Sequence, residues 1–377
     1  MNLLSKALLL VAVASTTCSA APSKFDCSRT RDVIGGMQKM YDYGKGTWVG
    51  GSPPSSTWND ANAMTALCDY MKEDTFAAGQ YSSVLDNTFL KVQQDNLKDN
   101  NTAKSQLQQH PTPALPEGFI NEFYDDIGWW ALGWIRAYEV TKKDQFLKAA
   151  TQIFERMASA WDESKCNGGV WWTTEKSYKN AITNELFLSL AAQLANTIPD
   201  KKDYYVKWAK KELDWFKGTG MINGDNIIND GLDMNTCKNN QQTVWTYNQG
   251  VILGGLVALD KASPNKEYID LATKIADAAI KKMAPGNVLK EDCEPNCGGG
   301  ATFKGVFIRN LVDLYKKTNK NEYKTVILTS GSSLWDKGRY DNNTFGDAWG
   351  GPKSDITVMS ESSASDLFVA AYKVSDC

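Results

Sequence analysis

The feature that most constrains this chain is the period of its apolar residues. From about residue 29 to residue 374 they recur every three to four positions, and convincing alternating strands are scarce. Helical segments are read near 29–43, 57–75, 79–97, 119–141, 144–162, 178–196, 201–217, 243–261, 265–283, 302–318, 321–336 and 359–374. Some openings carry capping residues: Ser56 or Thr57 ahead of "WNDANAM", and Thr243 ahead of "VWTYNQGV". The segments are of two kinds. "DKKDYYVKWAKKELDWF" has a charged face, with Lys201, Lys202, Lys210 and Lys211 near Asp203 and Glu212, as a solvated outer helix requires. "TYNQGVILGGLVAL" and "FKGVFIRNLVDL" are apolar almost all round and need burial on more than one side. Alternation of the two kinds predicts an all-α double ring of six helical hairpins, the (α/α)6 barrel. An α-solenoid is the alternative.

Residues 1–20 read as an export signal. Lys6 ends a short basic region, "ALLLVAVAS" is an apolar core too short to span a bilayer, and small residues surround Ala20. Residues 21–377 are then read as a single domain, secreted to the extracellular space or a cell wall, with no membrane span. The segment "SDLFVAAYKVSDC" lacks the hydrophobic tail of a lipid-anchored precursor. The formal net charge of −3 argues against nucleic acid as a partner. Of the 8 cysteines, cleavage would remove Cys18. Exported thiols usually pair. Cys293 and Cys297 are placed for a local bridge, and Cys166 and Cys237 for a staple between two loops. Cys27, Cys68 and Cys377 cannot all pair, so one thiol stays free. Asn100 and Asn342 head "NNT" glycosylation acceptors.

The single histidine, His110 in "QQHPTPALP", leaves no room for a Ser-His-Asp triad or a histidine zinc site, and it reads as a surface residue. "GGGATFKG" lacks the spacing of a phosphate-cradling loop. "NDGLDMN" lacks the ligand order of a calcium loop. No metal or cofactor is called for, so any chemistry must rest on carboxylates.

Two of these, Asp125 and Asp126, stand together in "FYDDIGWWALGWIRAYEV". Ile127, Trp130, Ala131, Trp134, Ile135 and Tyr138 recur at helical spacing and anchor the segment that follows. An acidic pair at a helix start is in one reading an ordinary cap, favoured by the helix dipole by roughly 0.3–1 kcal/mol. In the other, the two share a low-dielectric pocket, where both cannot ionise cheaply. One then keeps its proton beside an ionised neighbour, which is the equipment of glycoside hydrolysis. The 13 Trp and 15 Tyr suit stacking against sugar rings, as well as an aromatic core.

"FYDDIGWWALGWIRAYEVT", "CNGGVWWT", "KNAITNELFLSLAAQL", "TVWTYNQGVILGGLVAL" and "FKGVFIRNLVDL" occur in this order, with "TWNDANAM" upstream. Together they resemble glycoside hydrolase family 76, the endo-α-1,6-mannanases of bacteria and fungi, from about Asp32 to the last helix. The resemblance implies an (α/α)6 barrel and cleavage of α-1,6-linked mannan with retention. It makes Asp125 the nucleophile and Asp126 the acid and base, so that Asp126 needs the raised pKa and Asp125 needs hydrogen bonds that keep it charged. The implied partner is α-1,6-mannan or another mannose-containing cell-wall glycan, bound by a monomer.

Further candidates for substrate contact are Asn62, Trp129, Trp171, Trp172, Asp230, Tyr247 and Asn248. Asn62 sits where the family has an asparagine, although a plain polar helix position fits it too. One ring of Trp171 and Trp172 is expected on a sugar and the other in the core. Of the two acids in "NDGLD", Asp230 is preferred over Asp233 as a sugar ligand, although Asp-Gly is also an ordinary turn. Tyr247 and Asn248 would line a cavity mouth or cap a helix, and Lys304 reads equally as a surface charge. Two other functions stay open: a cell-wall transglycosidase using the same double displacement, and a non-catalytic mannan-binding wall protein.

Overall fold

A computed structural model describes residues 25–51, 57–99, 117–375 and 377. His110, Asn100, Ser56 and the leader 1–20 lie outside these residues. Among the described residues the chain forms α1 (Ser28–Gln38), α2 (Thr57–Glu73), α3 (Thr75–Asp99), α4 (Tyr124–Thr141), α5 (Asp144–Ser159), α6 (Ala181–Thr197), α7 (Lys202–Gly218), α8 (Thr246–Ala262), α9 (Lys266–Met283), α10 (Phe303–Thr318), α11 (Asn321–Lys337) and α12 (Val358–Val374). Among the described residues the only sheets are two-residue hairpins: Tyr41–Asp42 with Thr47–Trp48, and Leu232–Asp233 with Lys238–Asn239.

The even-numbered helices pack side by side in the order α2, α4, α6, α8, α10, α12 and back to α2, which closes an inner ring. Each is backed by an odd-numbered helix: α3 on α2, α5 on α4, α7 on α6, α9 on α8, α11 on α12 and α10. The sixth pair joins opposite parts of the chain, because α1 packs on α12. Thr30 Oγ1 donates to the Phe368 carbonyl at 3.0 Å, and a disulfide links Cys27 to Cys377. This is the (α/α)6 barrel the patterning predicts.

The inner helices are buried all round because neighbours cover both flanks and an outer helix covers the back. Backbones approach closely where glycine allows it. A Cβ at Gly250 of α8 would stand 2.5 Å from Phe307 Cα of α10, and one at Gly305 of α10 would stand 2.6 Å from Ser363 Cα of α12. The outer helices keep the single apolar stripe expected of them, as in α5 with Phe146, Ala149, Ala150, Ile153, Phe154 and Met157 inward.

Several element starts differ from the sequence reading: α3 begins at Thr75 rather than near 79 and α6 at Ala181 rather than near 178, and two further shifts bear on the site. The chain reaches α4 through a 3-10 turn at Glu117–Phe119 and an extended stretch, so the helix begins at Tyr124 rather than near 119. Thr243 caps nothing: α8 begins at Thr246, whose backbone N–H and hydroxyl both donate to Glu291 Oε1. The cap comes from 45 residues away in sequence, beyond any local signal. The other bridges pair Cys166 with Cys237 and Cys293 with Cys297, and Cys68 is the buried free thiol. No helix among the described residues is long and apolar enough to cross a membrane.

Candidate active site

Asp125 and Asp126 occupy the first turn of α4, and the ladder just before it fixes their direction. Phe123 bridges to Thr173 in antiparallel fashion, Tyr124 N donates to the Trp172 carbonyl at 2.8 Å, and Thr174 N donates to the Glu122 carbonyl at 3.0 Å. The loop bearing Trp172 is thereby fastened to the helix start. Trp172 Nε1 donates to Asp125 Oδ2 at 2.9 Å, and Asp126 N donates to Asp125 Oδ1 at 3.0 Å. Asn121 Nδ2 donates to Asp126 Oδ2 at 2.7 Å, while Asn121 Oδ1 accepts from Phe123 N at 2.9 Å. Each carboxylate therefore has its own side-chain donor.

Both carboxylates line a cleft of about 300 Å³ together with Trp58, Phe123, Trp129, Trp172, Tyr247 and Phe303. The Tyr247 and Phe303 rings stack at 3.9 Å and 10°. Trp129 lies near-parallel to Trp58 (6.3 Å) and to Tyr247 (6.5 Å). An aromatic wall thus faces a pair of acids, which suits a ligand with apolar pyranose faces and a reactive acetal. Burial pushes both carboxyls above the ordinary carboxylate range, and the Asp126 charge raises Asp125 further. The sequence reading placed the raised pKa on Asp126 alone. In the free protein the pair shares the effect, and a proton held there belongs to the pair.

The remaining sequence candidates divide. Trp129, Trp172 and Tyr247 line the cleft. Trp171 does not: its indole N–H donates to Asp162 Oδ2 at 3.0 Å and Lys179 Nζ lies 4.5 Å from its ring centroid. Of the two tryptophans, Trp172 faces the acids and Trp171 packs inside. Asn62 is fully buried, donating to the Trp58 carbonyl at 3.0 Å and accepting from Arg309 Nη2 at 2.6 Å, so it braces the wall rather than lining it. Arg309 in turn pairs with Asp366 at 3.1 Å and lies 5.6 Å from the Trp129 ring centroid. Asn248 is also fully buried, beneath the surface of α8. Asp230 accepts the Tyr178 hydroxyl at 2.6 Å, behind Trp172. Asp233 is exposed and caps its own turn through the backbone N–H groups of Asn235 and Thr236. Lys304 is not a surface charge. It is fully buried, paired with Glu294, bonded to the Asp347 carbonyl and set 4.6 Å from the Trp349 ring centroid.

Trp58, Phe123, Phe303 and Asn121 were not singled out from the sequence. Trp58 stands in the polar stretch "STWND" and Phe303 between Thr302 and Lys304, with no local pattern that marks either ring as facing a cleft. Asn121 had a usable signal, because a side-chain donor five residues ahead of Asp126 can reach back to a helix's first turn.

A family model described as glycosyl hydrolase family 76 matches residues 27–373. The chain is 28% identical to mannan endo-1,6-alpha-mannosidase DCW1 of Candida albicans over 306 residues, covering 72% of this chain and 62% of that one. It is 25% identical to mannan endo-1,6-alpha-mannosidase DFG5 of the same organism, covering 86% and 74%. It thus spans about three-fifths of the length of the DCW1 relative. Among solved structures, the GH76A alpha-1,6-mannanase of Salegentibacter sp. HEL1_6 superposes with a TM-score of 0.78 at 21% identity, covering 92% of this chain and 99% of that one. A variant of that bacterial protein with two consecutive aspartates changed to alanine is inactive and was solved with alpha-1,6-mannotetrose. Dfg5 of Chaetomium thermophilum, solved with glucosamine, superposes at 0.74 with 21% identity, covering 92% and 89%. With its fold, its acid pair and a family model spanning nearly every described residue, the chain belongs to glycosyl hydrolase family 76.

Proposed function

We propose that this chain is a retaining, endo-acting α-1,6-mannosidase that cuts mannan backbones by double displacement. The observation that carries the reading is the Asp125–Asp126 pair lining an aromatic cleft, each carboxylate with one side-chain donor. The fungal relatives named as mannan endo-1,6-alpha-mannosidases support the substrate class. So does the bacterial mannanase that is inactive once its two consecutive aspartates are replaced.

In the first step an Asp125 carboxylate oxygen attacks C1 of the mannosyl unit. The C1–O bond to the leaving chain breaks, and that oxygen takes the Asp126 proton. In the second step water gives a proton to Asp126 and attacks C1, which releases the Asp125 carboxylate. Two inversions leave the anomeric configuration unchanged. Trp172 and the Asp126 backbone N–H favour the charged form of Asp125. Burial favours a retained proton on the pair.

Residues 1–20 act in this reading as an export leader, and the remainder as one catalytic unit working outside the cell or in its wall. The test is incubation with α-1,6-mannotetraose, following the anomer of the first product by proton NMR. Shorter products with the α configuration are expected, and their loss in Asp125→Ala. No product from the wild type, or equal product from the variant, overturns the proposal. A second reading is transfer to a sugar hydroxyl in place of water. It is favoured by the fungal neighbour solved with glucosamine, a sugar that α-1,6-mannan does not contain. Longer products in the presence of an acceptor sugar would separate the two.

A further inference from the structure

Trp172 is the side-chain donor to Asp125, so whatever holds this indole sets the field at the proposed nucleophile. Its main chain is fixed on both sides: Trp172 N donates to the Tyr178 carbonyl and its carbonyl accepts from Tyr124 N, both at 2.8 Å. Its ring meets two others, Phe123 at 5.2 Å and Tyr178 edge-on at 6.1 Å and 90°. Tyr178 is itself held at its far end. Its hydroxyl donates to Asp230 Oδ2 at 2.6 Å and accepts from Asn240 Nδ2 at 2.9 Å. The backbone runs close to the same atom, since a Cβ at Gly231 would stand 2.4 Å from Tyr178 Oη. Asp230 is anchored in turn, its carbonyl accepting from Ala181 N at 2.7 Å at the start of α6.

We propose that Tyr178, clamped by Asp230 and Asn240, is a positioning residue that holds the Trp172 indole N–H on Asp125. The assignment rests on the glycosidase reading for its catalytic meaning, but its geometry stands without it. It gives Asp230 a role through protein contacts, where the sequence suggested direct contact with sugar hydroxyls. A phenol ring fixed by two hydrogen bonds at its hydroxyl cannot slide or tilt freely. The indole packed edge-on against it is therefore held against rocking away from the carboxylate. A hydrogen bond to a charged acceptor weakens steeply with distance and angle, so a small rotation of the indole would suffice to lose it. The titratable groups facing Asp125 are Asp126 on its own helix and Tyr247 on α8, with Glu122 facing Asp126, and Asp230, Glu185 and Glu291 facing Tyr247.

The test reads the Trp172 indole directly. In protein labelled with ¹⁵N at tryptophan, Trp172→Phe identifies its cross-peak, and a pH titration follows it. In the wild type the resonance moves as Asp125 ionises, and Asp125→Asn abolishes that movement. Tyr178→Phe keeps the ring but loses the clamp, and should move the midpoint upward by about 0.5–1 pH unit, a partial loss of one hydrogen bond to a charge. On α-1,6-mannotetraose it should lower kcat by about tenfold, less than the ~100-fold a 1 Å misplacement can cost, with KM changed by less than about twofold. Asp230→Ala and Asn240→Ala each remove one grip without touching the ring and should move the midpoint the same way, whereas Asp230→Asn, still an acceptor, should restore it. An unmoved midpoint in all three clamp variants overturns the proposal. So does a raised KM with unchanged kcat in Asp230→Ala, which would put Asp230 on the sugar. Because the titration needs no substrate, an inactive wild type with shifted midpoints would sink the mannanase reading alone.

Discussion

Asn121 and Asp126 form a closed local unit: the amide nitrogen donates to Asp126 Oδ2 at 2.7 Å while the amide oxygen accepts from Phe123 N at 2.9 Å. The amide is thereby fixed with its donor toward the acid, and it lowers the cost of charge on Asp126 against the burial that raises it. Asn121→Ala should let Asp126 hold its proton to higher pH. The alkaline limb of kcat/KM should move upward, and kcat should fall on the order of tenfold because Asp126 is then a weaker acid toward the leaving oxygen and its carboxyl is no longer held in place. A pH–rate profile of the variant checks this, and an unmoved alkaline limb would contradict it.

The aromatic wall should act on binding more than on chemistry. Trp58 is partly exposed in the cleft and near-parallel to Trp129. Trp58→Ala should raise KM by about tenfold, the equivalent of roughly 1.4 kcal/mol of lost ring contact, with kcat nearly unchanged. Steady-state kinetics on mannotetraose separates the two parameters, and a selective loss of kcat would assign the ring to the transition state.

Lys304 and Glu294 form an ion pair with side chains 1% and 6% exposed. Lys304→Met would leave the Glu294 charge buried without its partner and should cost about 3–5 kcal/mol of stability. Denaturant unfolding measures it, and changing Glu294 to Leu in the same background should recover much of the loss. Because Lys304 follows Phe303 directly, the single variant should also disturb the wall and raise KM.

Stability should fall as pH rises from about 4 to 8. Asp60 and Glu361 are 3% and 0% exposed, and burial pushes each up to about 8; Glu291 is pushed up to about 7. An acid with a raised folded-state pKa keeps its proton where the unfolded chain, titrating near 4, has lost it. The folded state then binds more protons across that window, so each such group removes up to about 1.4 kcal/mol per pH unit as pH climbs. The effect is complete above the folded-state values and absent below about pH 4. Tm measured at pH 5 should exceed Tm at pH 8, and Asp60→Asn, which cannot titrate, should flatten the curve. A higher Tm at pH 8 would reverse the sign and refute the reading.

The ring was legible because its inner helices carry apolar residues on every side, a pattern that only coverage on several faces explains. "VILGGLV" in α8 and "GVFIRNLV" in α10 show it in the sequence itself. The acid pair was legible because two adjacent carboxylates ahead of so apolar a helix conflict locally. What stayed hidden depends on partners far along the chain. Lys304 reads as a surface charge until Glu294 and Asp347 are seen around it. Thr246 has no visible cap until Glu291 folds onto it. Asn62 reads as a sugar ligand until Arg309, 247 residues on, takes its oxygen. Trp171 and Trp172 could not be told apart because facing is decided by the ladder to Phe123, not by their own sequence.

The pairing of α1 with α12, locked by Cys27–Cys377, means that five of the six hairpins are continuous and the sixth is assembled from segments 350 residues apart. The barrel as a shape has no preferred point of entry. A gene recut so that translation began at an exposed turn such as the one between α8 and α9, where Pro264 and Asn265 are exposed, with Cys27 and Cys377 bridged by a short peptide, would keep every neighbour relation in the toroid. Circular permutation could then place a fusion partner on a chosen side of the ring without opening the cleft.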